Sequence, residues 1–348
     1  VLPDGRHHTF SQFGSGTLAG AETFLSRYML VNPSAMLNEA AGLAGLGVVD
    51  PLSRVHVDED ALITTPFHIA ANRAREQARG DGRHGSCGMG IRETMADAED
   101  PDRIALRVHD LFVPGALRRK LFVIQGQKQR DALAVGPLDE RTLVGRVLIE
   151  PGQVDDIAAR MEAWTRGVDV VGSEWLTHRL RESGPPVIFE GAQGVLLDPV
   201  YGYFPHVTAT ACTFRNALDL LTDHGGQVTR LAVTRTYQTR HGAGPMPSET
   251  TALQHLLADD HNTEGQWQGA LRAGHLDLQA ADRASTALGQ IDGLVVTHAD
   301  KLDPQALPVF SGSWNEVGRM SIDAFAERIG TRVAVVSSGP THLDKTER

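Results

Sequence analysis

VIFEGAQGVLLDPVYGYFPHVTAT, residues 187–210, opens apolar and closes in glycine, proline and threonine. The run Pro186-Val-Ile-Phe189 is short and apolar, without polar alternation, and reads as a strand buried on both faces. A glycine loop, Glu190-Gly-Ala-Gln193-Gly194, follows at once. Ligands of open α/β sheets lie beyond the carboxyl ends of the strands. The juncture therefore sets two expectations together, a parallel sheet and a site at its edge. The Gln193 amide both donates and accepts hydrogen bonds, which suits a carbonyl or ring nitrogen of a base. Thr208 and Thr210 follow on a turn, in reach of phosphate oxygens. The competing reading is a strand-end turn with a solvated Gln, since glycine punctuates turns of every kind.

Working outward, similar apolar runs occur at Lys120–Ile124, Thr229–Thr234, Gly293–Thr297 and Arg332–Ser337. Between them lie helical stretches. Thr65–Arg79 has an N-cap, proline at the first helical position and apolar spacing. Leu276–Ile291 and Ser321–Ile329 also read as helices. Strands alternating with helices predict an α/β fold: a mostly parallel, doubly wound sheet with helices on both faces and long loop excursions. Gly136–Asp139 reads as a loop and Phe310–Met320 as irregular. No stretch reads as a long linker, so residues 1–348 are expected to form a single domain.

Composition bounds the function. Of 348 residues, 41% are hydrophobic and 22% charged, which fits a globular core. The formal charge of −10 gives no bulk attraction for nucleic acid or an anionic membrane. No run approaches the ~18 apolar residues of a membrane helix. Cys87 and Cys212 form no CxxC pair, and with no signal peptide visible the expected compartment is a reducing cytoplasm. Only two residues precede the Pro3-Asp-Gly5 turn. It reads as a hairpin lacking its first arm, and an upstream segment is expected.

Other turns carry chemistry-bearing residues. Arg83-His-Gly-Ser86-Cys87-Gly-Met-Gly90 exposes backbone N–H groups and a hydroxyl, suited to a phosphate or to close approach of a ring, or else it is a plain glycine loop. Thr234–Pro245 sets Arg235, Arg240, His241 and a Gly-x-Gly after a buried strand; arginine is a natural partner of phosphate or carboxylate. Gly265–Gly274 holds one cation, Arg272, which alone reads as a surface arginine. Thr297-His-Ala-Asp300 ends a Val-rich strand, and its Asp can accept from a guanine edge. Ser337-Ser-Gly339-Pro340 ends the last strand, where it can pack on a base or ribose. Both are also simple turns. There is no Zn-ligand spacing, no GxSxG elbow and no GxxxxGK[ST].

Taken in order, these elements resemble the adenylosuccinate synthetase family. Phe189-Glu-Gly-Ala-Gln-Gly-Val-Leu-Leu-Asp198 followed by Phe204-Pro-His-Val-Thr208 carries the resemblance most specifically. Gly85–Ile91, Thr239–Pro247 and Ser338-Gly-Pro340 support it. The family joins a purine monophosphate to L-aspartate: a nucleoside triphosphate phosphorylates the purine 6-oxygen, and the aspartate amine displaces that phosphate. The resemblance implies IMP as substrate, GTP or ATP as triphosphate, Mg2+ as cofactor, and a homodimer. It places Gln193 on the purine, and Thr208 with the Ser86-Cys87 turn on the 5′-phosphate. Arg103 would reach the 5′-phosphate of the neighbouring subunit. Arg240 and His241 would line the ribose, Arg272 would meet the amino acid, and Asp300, Gly339 and Pro340 would hold the triphosphate's base.

There are departures. The family's GDxGKG-type turn and GHT-type segment, with the catalytic Asp, His and metal contacts, are not among these residues. The chain is therefore expected to lack catalysis alone, and a longer parent to be the enzyme; each missing acid or base costs about 10²–10⁴-fold. The TTGRxRR-type aspartate loop is replaced by Thr263–Arg272. His298 stands for the lysine of TKxD, and Cys87 for a threonine. Two rivals follow: a 2-aminoadenylosuccinate synthetase-like enzyme using (d)GMP, and a nucleotide-binding paralogue without catalysis.

Overall fold

The computed structural model describes residues 1–348 apart from 84, 183, 185, 223–224, 258–266, 268 and 312–315. The chain divides into two compact units, one of His8–Gly82 with Cys87–Glu190, the other of Val1–His7, Arg83–Ser86 and Gly191–Arg348.

The first unit holds β1 (Thr23–Leu25), β2 (Leu30–Val31), α1 (Pro33–Gly45), β3 (Val55–Asp58), β4 (Leu62–Ile63), α2 (Pro66–Arg79), α3 (Ile91–Glu99), α4 (Ala116–Leu133), α5 (Leu143–Ile149), α6 (Gln153–Trp164), β5 (Asp169–Val171) and α7 (Glu174–Arg181). Strands β1, β3 and β5 pair in parallel, as do β2 and β4. Helix α2 shows why its residues are helical. Thr65 caps it, Pro66 fills the first turn, and the Thr65 N–H donates to His68 Nδ1 at 3.0 Å. Its apolar face, Phe67, Ala70, Ala71 and Ala74, is buried. The core joins Val31, Met36, Val57, Ile63, Phe67, Leu121, Ile124 and Trp164, each large side chain contributing about 1.5–3 kcal/mol by burial.

The second unit holds α8 (Arg215–Leu220), β6 (Leu231–Arg235), β7 (Gln238–His241), α9 (Thr251–Leu256), β8 (Leu271–Gly274), β9 (Leu276–Asp277), α10 (Leu278–Leu288), β10 (Gly293–Thr297), β11 (Leu307–Phe310), β12 (Glu316–Met320), α11 (Ile322–Arg328), β13 (Val333–Ser337) and β14 (Lys345–Glu347). Its main sheet runs β14-β13-β10-β6; the last three pair in parallel and β14 is antiparallel. Leu294, Val296, Val333 and Val336 pack with Ile322 and Phe325 of α11. At the edge, β6 leaves Leu231 at 44% and Val233 at 69% exposure. A smaller sheet orders β12-β11-β9, and β7 and β8 form an antiparallel ribbon.

The α/β expectation with mainly parallel strands holds, in five separate sheets among the described residues. Four local expectations do not. Lys120–Ile124 lies inside the 18-residue helix α4. A short apolar run fits either period, and the Arg, Lys and Gln residues on both sides favour helix. Pro186–Phe189 forms no strand, and Ile188 is 79% exposed. Phe310–Met320 is not irregular throughout: β11 and β12 pair across it, with 312–315 outside the described residues. Helix α10 is shorter than read, because Leu276 and Asp277 form β9 and Asp277 caps the helix through Gln279 N–H and Ala280 N–H.

Candidate active site

The loop after Glu190 is built around two unusual residues. Gln193 adopts φ +66° without being glycine, a left-handed backbone that costs of order 1 kcal/mol and collects at functional turns. Asp198 is 3% exposed. Its carboxylate accepts from the N–H groups of Val200 (2.9 Å), Tyr201 (3.3 Å) and Cys212 (2.8 Å). A 3-10 turn, Val195–Leu197, joins Gln193 to Asp198. The Thr208 N–H donates to the Leu197 carbonyl at 2.8 Å, so Thr208 returns to the start of the run. Gly202 is required there: a Cβ would come within 2.5 Å of the Asp198 carbonyl oxygen. Arg283 of α10 donates to the carbonyls of Tyr201 (2.5 Å) and Gly202 (3.1 Å) and lies 5.0 Å over the Tyr203 ring. Burial, and then the Asp198 charge, push the Cys212 thiol up to about 12.

Strands β7 and β8 bring Arg240 opposite Arg272. Arg240 donates to the carbonyls of His206 (3.0 Å) and Ala243 (2.8 Å), so it braces the same run. Burial and the Arg272 charge lower its pKa. His241 follows on β7. Burial and then the Arg235 charge hold its pKa low, and its buried Nδ1 has no hydrogen-bond partner among the described residues. Arg272 is committed within the loop. It pairs with Glu249 and donates to the carbonyls of Gly242 (3.0 Å) and Gly244 (2.8 Å). The Arg272 hydrogen bond depresses the Glu249 carboxyl. Of the stretch read around Arg272, residues 263–266 and 268 lie outside the described residues.

At the carboxyl ends of β10 and β13 the Ala299 N–H donates to the Ser337 carbonyl at 3.0 Å, which brings two of the expected turns together. Asp300 is exposed there and pairs with Lys301 at 3.2 Å. The Gly339 carbonyl accepts from Lys345 Nζ (2.8 Å), and Pro340 is exposed beside it. His298, at φ +58°, packs edge-on to Tyr237 with centroids 5.5 Å apart.

In the first unit, Gly90 rests on the start of α2, where a Cβ would meet the His68 carbonyl carbon at 2.7 Å. Arg103 donates to Asp97 (2.6 Å) and, through both terminal nitrogens, to Asp131. Lys128 joins Asp97 (2.7 Å) and Asp131 (3.0 Å), and His68 Nε2 lies 3.1 Å from Asp97. Burial raises the Asp97 pKa, but hydrogen bonds from His68 and Lys128 outweigh it, and the net shift is downward. Burial holds His68 below its ordinary value. Ser86 and Cys87 fall in different units and Arg103 in the first. Gln193, Thr208, Arg240, His241, Arg272, Asp300, Gly339 and Pro340 are all in the second.

Reading the residues singled out neither Asp198 nor Glu249. Asp198 carried a signal, an Asp directly before Pro199, which favours a side-chain-to-backbone turn. Glu249 carried none, since its partner is 23 residues away. Among the described residues no three His, Cys, Asp or Glu side chains converge as a metal site requires.

A family model described as adenylosuccinate synthetase matches residues 1–310. The adenylosuccinate synthetase of Thioalkalivibrio sulfidiphilus is 31% identical over 321 residues, covering 87% of this chain and 68% of that protein. That of Methylibium petroleiphilum is 31% identical, covering 82% and 63%. The chain thus spans about two thirds of the length of these relatives. Two solved structures share its fold. The fully ligated adenylosuccinate synthetase of Plasmodium falciparum has a TM-score of 0.70 at 14% identity, covering 93% of this chain and 84% of that one. The succinoaminodeoxyadenylate synthetase of cyanophage S-2L, bound to dGMP and to dATP as an energy donor, has a TM-score of 0.60 at 16% identity, covering 100% and 83%.

Proposed function

Because the chain belongs to the adenylosuccinate synthetase family, ligases that form a C–N bond in purine biosynthesis, we propose that it serves the joining of IMP to L-aspartate with hydrolysis of a nucleoside triphosphate. The observation that carries the reading is the Gln193 loop, where a strained left-handed amide residue leads into a run that returns to Thr208. Gln193 reads the purine at its 6-oxygen. Thr208 and the Ser86-Cys87 turn bind the 5′-phosphate, and Arg103 serves the neighbouring subunit of a homodimer. His241, held neutral by burial, lines the ribose with Arg240, whose own N–H groups fix the His206 carbonyl. Arg272 meets the aspartate carboxylate and exchanges part of its Glu249 contact to do so. Asp300, Gly339 and Pro340 receive the base of GTP or ATP. Residues 1–348 act as a single synthetase-like domain in the cytoplasm.

The family uses Mg2+ at the triphosphate. The acidic and imidazole side chains described here do not gather into a set that fits it, so no step is routed through the ion.

A second reading, use of (d)GMP, is left open by the altered arginine loop around Arg272, and the cyanophage relative in fold is one bound to dGMP. Calorimetric titration of the chain with IMP, GMP and dGMP, with Gln193→Ala as control, tests both. Saturable IMP binding lost in the variant supports the first. Tighter dGMP than IMP binding supports the second. No binding of any monophosphate overturns both.

A further inference from the structure

The monophosphate reading leaves one buried acid without a task. Among the described residues Asp198 contacts no cation, and three backbone N–H groups converge on its carboxylate, from residues 200, 201 and 212. Such convergence satisfies the acceptor oxygens of a carboxylate at 3% exposure. Its backbone is engaged as well, since the Asp198 carbonyl accepts from the Gly202 N–H at 2.8 Å and its own N–H donates to Val195 at 3.0 Å. Asp198 therefore sits where the Gln193 turn, the returning Thr208 and the Cys212 end of the run are tied together. From outside, Arg283 grips the Tyr201 and Gly202 carbonyls.

We propose that Asp198 is a positioning residue for purine monophosphate binding, acting through the backbone it gathers: it sets the distance between Gln193, which meets the base, and Thr208, which meets the phosphate. Arg283 is the outer member of the same clamp. The proposal rests on the monophosphate reading above. Neither residue touches substrate in it. A ligand that bridges Gln193 and Thr208 is sensitive to their spacing, whereas a base bound at Asp300 and Gly339 is not.

Asp198→Asn isolates the effect. One amide oxygen can still accept from Val200 and Tyr201, but the NH2 group faces the Cys212 N–H, donor against donor. Arg283→Ala changes an exposed side chain and leaves the core intact. Binding of IMP and of GTP to the 348-residue chain is measured by calorimetry for the wild type, Gln193→Ala, Asp198→Asn and Arg283→Ala, with thermal melts of each. Cys212 alkylation is followed by peptide mass. The expected result is IMP affinity about tenfold weaker in Asp198→Asn, the scale of one lost hydrogen bond to a charged acceptor. A smaller loss in Arg283→Ala, unchanged GTP affinity and faster Cys212 alkylation in Asp198→Asn complete it. IMP affinity lost in Gln193→Ala but kept in Asp198→Asn and Arg283→Ala overturns the proposal alone. Equal losses of IMP and GTP affinity with a lowered melting temperature overturn it too, as the mark of a structural role. A wild-type chain that binds no purine monophosphate overturns the underlying reading and the proposal with it.

Discussion

Gln193 carries its amide on a backbone that glycine would adopt without strain. Gln193→Gly is therefore expected to raise stability by about 1 kcal/mol while weakening monophosphate binding about tenfold. Gln193→Ala should weaken binding without the stability gain. Thermal melts and calorimetry on the two variants side by side separate strain from recognition. At Arg272 the competition is between an internal and an incoming carboxylate. Glu249→Gln removes a partly exposed pair worth about 0.5–1 kcal/mol. It should tighten aspartate binding, as read by a titration with L-aspartate; unchanged or weaker binding would remove Arg272 from the amino-acid site. The turn at Gln193 and the return of the run through Thr208 were legible in the sequence because both lie within one contiguous motif. The Asp198 contacts were not, since their partners are fixed by how residues 199–212 fold back.

Among the elements, the parallel strands β10 and β13 were readable because both are Val-rich runs with no exposed residue. Residues 120–124 carry a similar composition, yet their environment is decided by Leu117, Leu121, Ile124 and Lys128, buried at helical spacing. Period 3.6 becomes visible only when the window is widened beyond the apolar run. Phe189 shows the reverse failure: an apolar run needs a neighbouring strand to become one, and sequence alone does not supply the neighbour. Helix packing gives a sharper test. Trp164 of α6 is fully buried and its Nε1 donates to Met36 Sδ of α1 at 3.0 Å. Trp164→Ala should cost about 3–5 kcal/mol, measured by urea denaturation. A cost below ~1 kcal/mol would mean that α1 and α6 do not meet through this side chain.

Across the whole molecule, the resolved shifts on Asp97, Asp131, Glu249 and His68 have one sign for pH. His68 is held low, so the unfolded chain takes up its proton first; stability falls as pH drops below the ordinary value of 6.5. Asp97, Asp131 and Glu249 are also depressed, and the stability they confer above their ordinary values of 3.8, 3.8 and 4.5 is lost as pH falls through their lower folded values. The melting temperature should therefore decline in two limbs on acidification, each limited to about 1.4 kcal/mol per pH unit per group. His68→Gln should shrink the upper limb to the share left by His241, and should weaken the lower one only through the lost imidazole hydrogen bond to Asp97; an unchanged upper limb would count against the assignment. The main sheet has a consequence of a different kind. Strand β6 ends it with Val233 two-thirds bare and one row of backbone groups facing outward, and such a margin is a template for another chain. Concentrated solutions should accordingly turn cloudy by edge-to-edge stacking. Val233→Lys should keep them clear, with light scattering against concentration as the readout, at no loss of nucleotide affinity.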